Sequence, residues 1–233
     1  GRYYKFDPRV KLVDNTLRDV QFAFSNEVAH MCDAIGVSAF EVIKAGKLGY
    51  PRTNLAVPGP VGGPCLEKDP YILAESVDDG FGELAISMAA RRLNERQPGD
   101  CVRAIRAITD RLQGFAASPT ITLAGIAFKG RPVTDDLRGT MARPILAALK
   151  DAYPDARFQG YDAAVTPENI RDLGLEPMDG LEAAFDRADL IVIANNHPSF
   201  EAMPITRLAQ HMAKPGLIYD FWNNFVAADL KLP

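Results

Sequence analysis

The chain changes character once. Up to about Phe115 its apolar residues recur at helical intervals and no strand pattern occurs. Past Ala116-Ala117-Ser118-Pro119 short apolar runs alternate with helical stretches. This change restricts the fold to an all-α part followed by an α/β part, with expected domains at residues 1–117 and 118–233. In the second part, Thr120–Ala127, Arg157–Tyr161, Leu190–Ala194 and Gly216–Asp220 read as strands. Gly139–Leu149, Leu181–Arg187 and Ile205–Met212 read as the helices between them. Buried apolar strands separated by helices predict a doubly wound parallel sheet of Rossmann-like type, which takes ligands at the C-terminal ends of its strands. The loops there are Phe128-Lys129-Gly130-Arg131, Asn195-Asn196-His197 and Asp220-Phe221-Trp222-Asn223. The first strand is followed only by Gly125 and Gly130, without the G-x-G-x-x-G of a dinucleotide loop, so NAD is not assigned to this sheet.

The first part opens on a long helix, residues 8–35, with Asp7 as its expected N-cap and Pro8 in its first turn. Val13, Leu17, Val20, Phe24, Val28, Met31 and Ile35 recur every three or four positions, and Gly36 is the stop. At 1.5 Å per residue the helix spans roughly 40 Å, more than one small core needs, and a homodimer built along it is expected. Lys11 and Asn15 lie one turn apart on its polar side, by default a solvated face. Ser38 is placed to cap a second helix, Ala39 to about Lys47. Two further helices, about 80–97 and 99–115, are expected to pack antiparallel across a Pro98-Gly99 turn.

Between them lies PGPVGGPCLEKDPYIL, Pro58 to Leu73. Its glycines let the backbone approach a ligand closely or take a positive φ. Cys65 stands where the loop turns into a helix starting near Asp69-Pro70. One helical turn puts the Cys65 and Asp69 side chains on one face, and a thiol beside a carboxylate suits covalent chemistry at an electrophilic carbon. A surface Gly/Pro loop with an ordinary small cysteine is the competing reading of the same residues.

Composition excludes several classes. The 26 basic and 30 acidic residues give a net charge of −4 without a long basic run, which argues against nucleic acid as the main partner. No apolar run approaches the roughly 20 residues of a membrane span. The 3 cysteines are scattered and form no zinc pattern, so no metal is expected. A reducing cytoplasm is the expected compartment.

Three stretches resemble the UDP-glucose/GDP-mannose dehydrogenase family: VKLVDNTLRDVQFAFSNE from Val10, PGPVGGPCLEKD from Pro58 and LAGIAFKGRPVTDDLRGT from Leu123. The resemblance implies a central helical dimerisation domain and a C-terminal nucleotide-sugar-binding domain. It also implies that NAD is held by an N-terminal domain not among these residues. The activity it implies is oxidation of a UDP-sugar or GDP-sugar alcohol, twice, to the uronate. Cys65 matches the nucleophile that carries the aldehyde as a thiohemiacetal and then a thioester. Lys11 matches the lysine that stabilises the oxyanion, Asn15 its amide partner, and Asp69 the carboxylate of proton transfer and water activation. Arg52 resembles an arginine that reaches the partner's substrate. Gly62 and Gly63 match glycines against the substrate, and Phe128 and Lys129 match contacts to the nucleotide-sugar. Asp135, Asp136 and Arg138 fall in a family motif but read mainly as structure, with a helix cap at Asp136 as the alternative. Pro64 and Trp222 depart from the family pattern. Without a cofactor domain, these residues are expected to bind substrate without turning it over, and a non-catalytic dimeric nucleotide-sugar-binding module is the alternative function.

Overall fold

The structure, a computed structural model, describes residues 9–50, 54–77 and 82–225. It is an α/β protein with two compact units that divide at Gln97/Pro98. The first unit holds α1 (Arg9–Ile35), α2 (Ala39–Gly46), α3 (Asp69–Glu75) and the first half of α4 (Ala85–Thr109). α1 ends at Gly36, whose φ of +73° suits a residue without Cβ. Val37 N–H then returns to Cys32 O (3.0 Å) and Gly36 N–H to Asp33 O (3.3 Å), the Schellman pattern that satisfies the last carbonyls. Ser38 caps α2, its hydroxyl accepting Glu41 N–H at 3.3 Å. The cap expected at Asp7-Pro8 lies outside the described residues.

Most of the apolar repeat of α1 does not face inward, and Val20 and Val28 are half-buried. Val13, Leu17, Phe24, Met31 and Ile35 are exposed, whereas Thr16, Asp19, Ala23, Ser25, Asn26 and Cys32 are buried. A second correction concerns α4. Residues 98–99 form no turn between antiparallel helices: one helix runs through Pro98. A proline inside a helix costs about 3 kcal/mol through its missing N–H and the clash with the preceding turn. The residues around Pro98 are buried, Asn94 in the first unit and Cys101, Val102 and Ile105 in the second.

The second unit is built on β1 (Thr120–Ala124), α5 (Ala142–Ala152), β2 (Arg157–Tyr161), α6 (Pro167–Asp172), β3 (Glu176–Pro177), α7 (Leu181–Phe185), β4 (Leu190–Ile193), α8 (Pro198–Glu201), α9 (Ile205–Gln210) and β5 (Leu217–Asp220). The strands form one parallel sheet in the order β3-β2-β1-β4-β5. β3 was not expected: two residues, Glu and Pro among them, carry no strand signal, and pairing with β2 at the sheet edge makes it. β1 ends at Ala124, short of the expected Ala127, because Gly125 turns the chain with φ +81°.

Side chains alternate across the sheet. Ile121, Leu123, Leu190 and Val192 join Val102, Ile105, Ile145 and Leu149 on one face. Ala124, Ile191 and Ile193 join Phe185, Phe200 and Leu208 on the other. Burial on both faces explains why β4 is apolar at every position.

Candidate active site

In the first unit the segment after Pro58 tightens into turns before α3. Gly63 has φ +96°, a backbone position that favours glycine. Glu67 N–H donates to Gly63 O (3.3 Å), and Lys68 and Asp69 N–H both donate to Cys65 O (3.2 and 2.9 Å). Cys65 and Asp69 are thus one turn apart and joined through the backbone. Pro70 follows at the start of α3, where its missing N–H costs nothing. Gly62 and Cys65 are half-buried, and Gly63 is buried.

Asp69 is only 1% exposed, yet each carboxylate oxygen has a partner. Asn15 Nδ2 donates to Oδ2 at 2.6 Å and Lys68 Nζ to Oδ1 at 2.7 Å. Burial works to raise the Asp69 pKa. The hydrogen bonds from Lys68 and Asn15 and the charges of Lys68 and Lys11 outweigh it and hold the carboxyl below its ordinary value. The hydrogen bond to Asp69 in turn raises Lys68. Asp69 is therefore an ionised base at neutral pH, next in space to an amide donor and one turn from a thiol.

The default reading of Lys11 and Asn15 as a solvated face holds only in part. Lys11 is exposed, but Asn15 is half-buried and bonded to Asp69. Lys68 was not singled out from sequence. Nor was the polar set behind the loop, Asp19, Asn26, Arg91 and Asn94. A signal existed in the sequence: Asp19 and Asn26 stand two turns apart on α1, a spacing that keeps them on one face. Asp19 accepts from Arg91 Nη1 (2.8 Å) and Asn94 Nδ2 (2.9 Å), but burial is the stronger influence and pushes its carboxyl up. Arg52 lies outside the described residues.

In the second unit the loop after β1 is held by side chains from neighbouring strand ends. Asp162 accepts Ile126 N–H (2.6 Å) and Ala127 N–H (3.0 Å) through one oxygen, and Ala164 and Val165 N–H through the other. Asn195 Nδ2 donates to Ala127 O (3.2 Å), and Asn196 Oδ1 accepts Gly130 N–H (3.1 Å). A Cβ on Gly130 would lie 2.0 Å from His197 N, so only glycine fits there. Phe128 and Lys129 sit half-buried on this clamped loop, with the Lys129 ammonium 4.9 Å from the Phe128 ring centre. Phe128 N–H donates to Asp136 O (3.0 Å). Asp136 pairs in-plane with Arg138, whose hydrogen bond lowers the carboxyl to about 2. It caps no helix, since α5 begins at Ala142.

His197 is the N-cap of α8, Nδ1 accepting Ser199 N–H at 3.1 Å. Trp222 Nε1 donates to Ala194 O (2.8 Å), and Asp220 accepts the N–H groups of Trp222 and Asn224. Trp222 thereby staples the end of β5 to the end of β4. The Ile126 and Ala127 N–H groups, which a glycine-rich loop would turn toward a pyrophosphate, are both spent on Asp162. NAD does not fit this loop in the manner of a dinucleotide fold. Among the described residues no group of three or more His, Cys, Asp or Glu could hold a metal ion, and no helix is long and apolar enough to cross a membrane.

Two family models cover most of the chain: the UDP-glucose/GDP-mannose dehydrogenase family central domain over residues 9–96, and that family's UDP binding domain over residues 122–227. The chain belongs to the UDP-glucose/GDP-mannose dehydrogenase family. It is 34% identical over 195 residues to a UDP-N-acetyl-D-mannosamine dehydrogenase of Pyrococcus horikoshii, a match covering 83% of this chain and 43% of the relative. It is 30% identical over 204 residues to an NDP-N-acetyl-D-galactosaminuronic acid dehydrogenase of Ralstonia nicotianae, covering 85% and 44%. Among solved structures, the UDP-D-ManNAc dehydrogenase of Pyrococcus horikoshii superposes with TM-score 0.78 at 30% identity, over 96% of this chain and 49% of that one. The chain spans less than half the length of these curated relatives.

Proposed function

We propose that the full-length protein is an NAD-dependent nucleotide-sugar dehydrogenase that oxidises the primary alcohol of a UDP-N-acetylhexosamine to the uronate. The names of the relatives support that sugar class. The observation that carries the reading is the bond from Asn15 to a buried Asp69 one turn from Cys65. In this scheme the alcohol would first lose its hydroxyl proton and a hydride, which bound NAD would accept, and the Cys65 thiolate adds to the resulting aldehyde carbon. A C–S bond forms, and the carbonyl π pair moves to oxygen as an alkoxide that Lys11 and Asn15 stabilise. Oxidation of that carbon to a thioester requires the hydride acceptor NAD, held by residues other than those described. Asp69 then takes a proton from water as it attacks the thioester, and the C–S bond breaks to return the thiolate and release a carboxylate.

Gly62 and Gly63 would pack against the sugar and Arg52 would reach a partner's substrate. Phe128 and Lys129 would contact the nucleotide, in line with the match to a UDP binding domain. The exposed stripe on α1 supports a homodimer along that helix: Leu17 is 56% and Ile35 65% exposed.

The test is NADH formation by the full-length protein with UDP-N-acetyl-D-mannosamine, and its loss in Cys65→Ser. Turnover retained by the variant rules out the covalent route. Thermal stabilisation by the nucleotide-sugar without any turnover points to the non-catalytic binding module instead.

A further inference from the structure

The polar side chains buried between α1 and α4 reach past the helices to the loop that bears Cys65. Asn26 clasps Gly59: its Oδ1 accepts Gly59 N–H (2.8 Å) and its Nδ2 donates to Gly59 O (3.1 Å). The same Nδ2 donates to Asn94 Oδ1 (3.1 Å), and Asn94 Nδ2 donates to Asp19 Oδ1 (2.9 Å). Arg91, 3% exposed, closes the set. Its Nη1 donates both to Asp19 Oδ1 and to the carbonyl of Leu66, each at 2.8 Å. One continuous buried network therefore holds the segment at Gly59 and at Leu66, and Cys65 immediately precedes the second anchor.

Stability is a weak reason for such a network. A buried ion pair often contributes no more than well-packed apolar residues of similar volume. Apolar residues could join α1 to α4, but they could not hold the Leu66 carbonyl.

We infer that Arg91, fixed in place by Asp19, is a positioning residue for Cys65: it holds the Leu66 carbonyl and with it the sulfur, while Asn26 holds the far end of the loop at Gly59. The inference rests on Cys65 being the nucleophile. A misplaced nucleophile costs rate in the transition state more than affinity in the ground state.

The test uses the full-length protein and Asp19→Leu/Arg91→Met, which exchanges the pair for apolar side chains. We expect kcat to fall about 10- to 100-fold with KM for the nucleotide-sugar within about twofold. The rate of Cys65 alkylation by iodoacetamide should change severalfold, while Cys32 and Cys101 keep their rates. Arg91→Lys preserves the charge beside Asp19 but not the planar fork, and should lie between wild type and the double variant. It supplies the same readouts if the double variant does not fold. Folded variants with wild-type kcat and alkylation overturn the inference, as does a raised KM at unchanged kcat. Cys65→Ser separates the two levels. If it stays active, the nucleophile reading fails. If it is inactive while the Arg91 variants match wild type, only the positioning role fails.

Discussion

α1 and β4 bury opposite kinds of residue. All four side chains of β4 are apolar and buried, packed into clusters on either side of the sheet. α1 buries Thr16, Asp19, Ser25 and Asn26 and turns Leu17, Phe24 and Met31 outward. The sheet core is held by area removed from water and tolerates no polar group without a local partner. Thr122 illustrates this, its hydroxyl donating to Ala184 O at 2.8 Å. The helical unit is held where it matters by directed bonds, which set position rather than maximise stability. The difference teaches where function sits: the apolar unit is a platform for clamped loops, and the polar core lies directly behind the candidate nucleophile.

Five measurements test this contrast. The largest effect is expected for Phe185→Ala, which opens a cavity in the sheet core and should cost about 3–5 kcal/mol in urea unfolding. Asp19→Ala comes next, at roughly 3 kcal/mol, because it leaves the buried Arg91 with only the half-exposed Glu95 carboxylate, 3.3 Å from its Nε. A loss of under about 1 kcal/mol there would mean that the polar core is solvated and the contrast false. Next, Asn15→Ala removes one hydrogen bond to Asp69 and should cost about 1–2 kcal/mol, with a larger loss in turnover.

Leu17→Ala separates the exposed stripe from a real core. It should cost less than about 0.5 kcal/mol in a dilute monomer. A cost comparable to a core cavity, together with a lower mass by sedimentation, would show that the stripe is covered by a second copy.

The smallest effect is on pH dependence. The folded-state pKa of Asp69 is depressed, so its contribution is fully present above the unfolded value of about 3.9 and is lost as pH falls through the lower folded value. Asp19 acts with the opposite sign. Its raised pKa makes stability fall as pH rises from about 3.9 to the folded value. Unfolding followed from pH 6 to pH 3 should show Asp69→Asn losing less stability on the acid side than wild type. Equal slopes would remove Asp69 from the acid response.

Much of this architecture is legible in the residues themselves. The Gly36 stop, the Ser38 cap, the strand at Arg157–Tyr161 and the buried run at Leu190–Ala194 are local signals, and local geometry obeys them. The candidate site is legible to the extent that Cys65 and Asp69 lie close in sequence. Lys68 carries no sequence signal, because a lysine beside an aspartate is ordinary until the aspartate is buried.

The sequence by itself determined the change from helices to a sheet, the class of that sheet and the turn that joins Cys65 to Asp69, because these follow from periodicity, turn chemistry and spacing along one stretch of chain. Only the tertiary structure decided three things: that α4 runs through Pro98, that α1 buries its polar side, and that Arg91 holds the residue after Cys65. Each depends on groups far apart in the chain. Burial makes a hydrogen bond between them obligatory, and no local propensity records which partner a buried group will find.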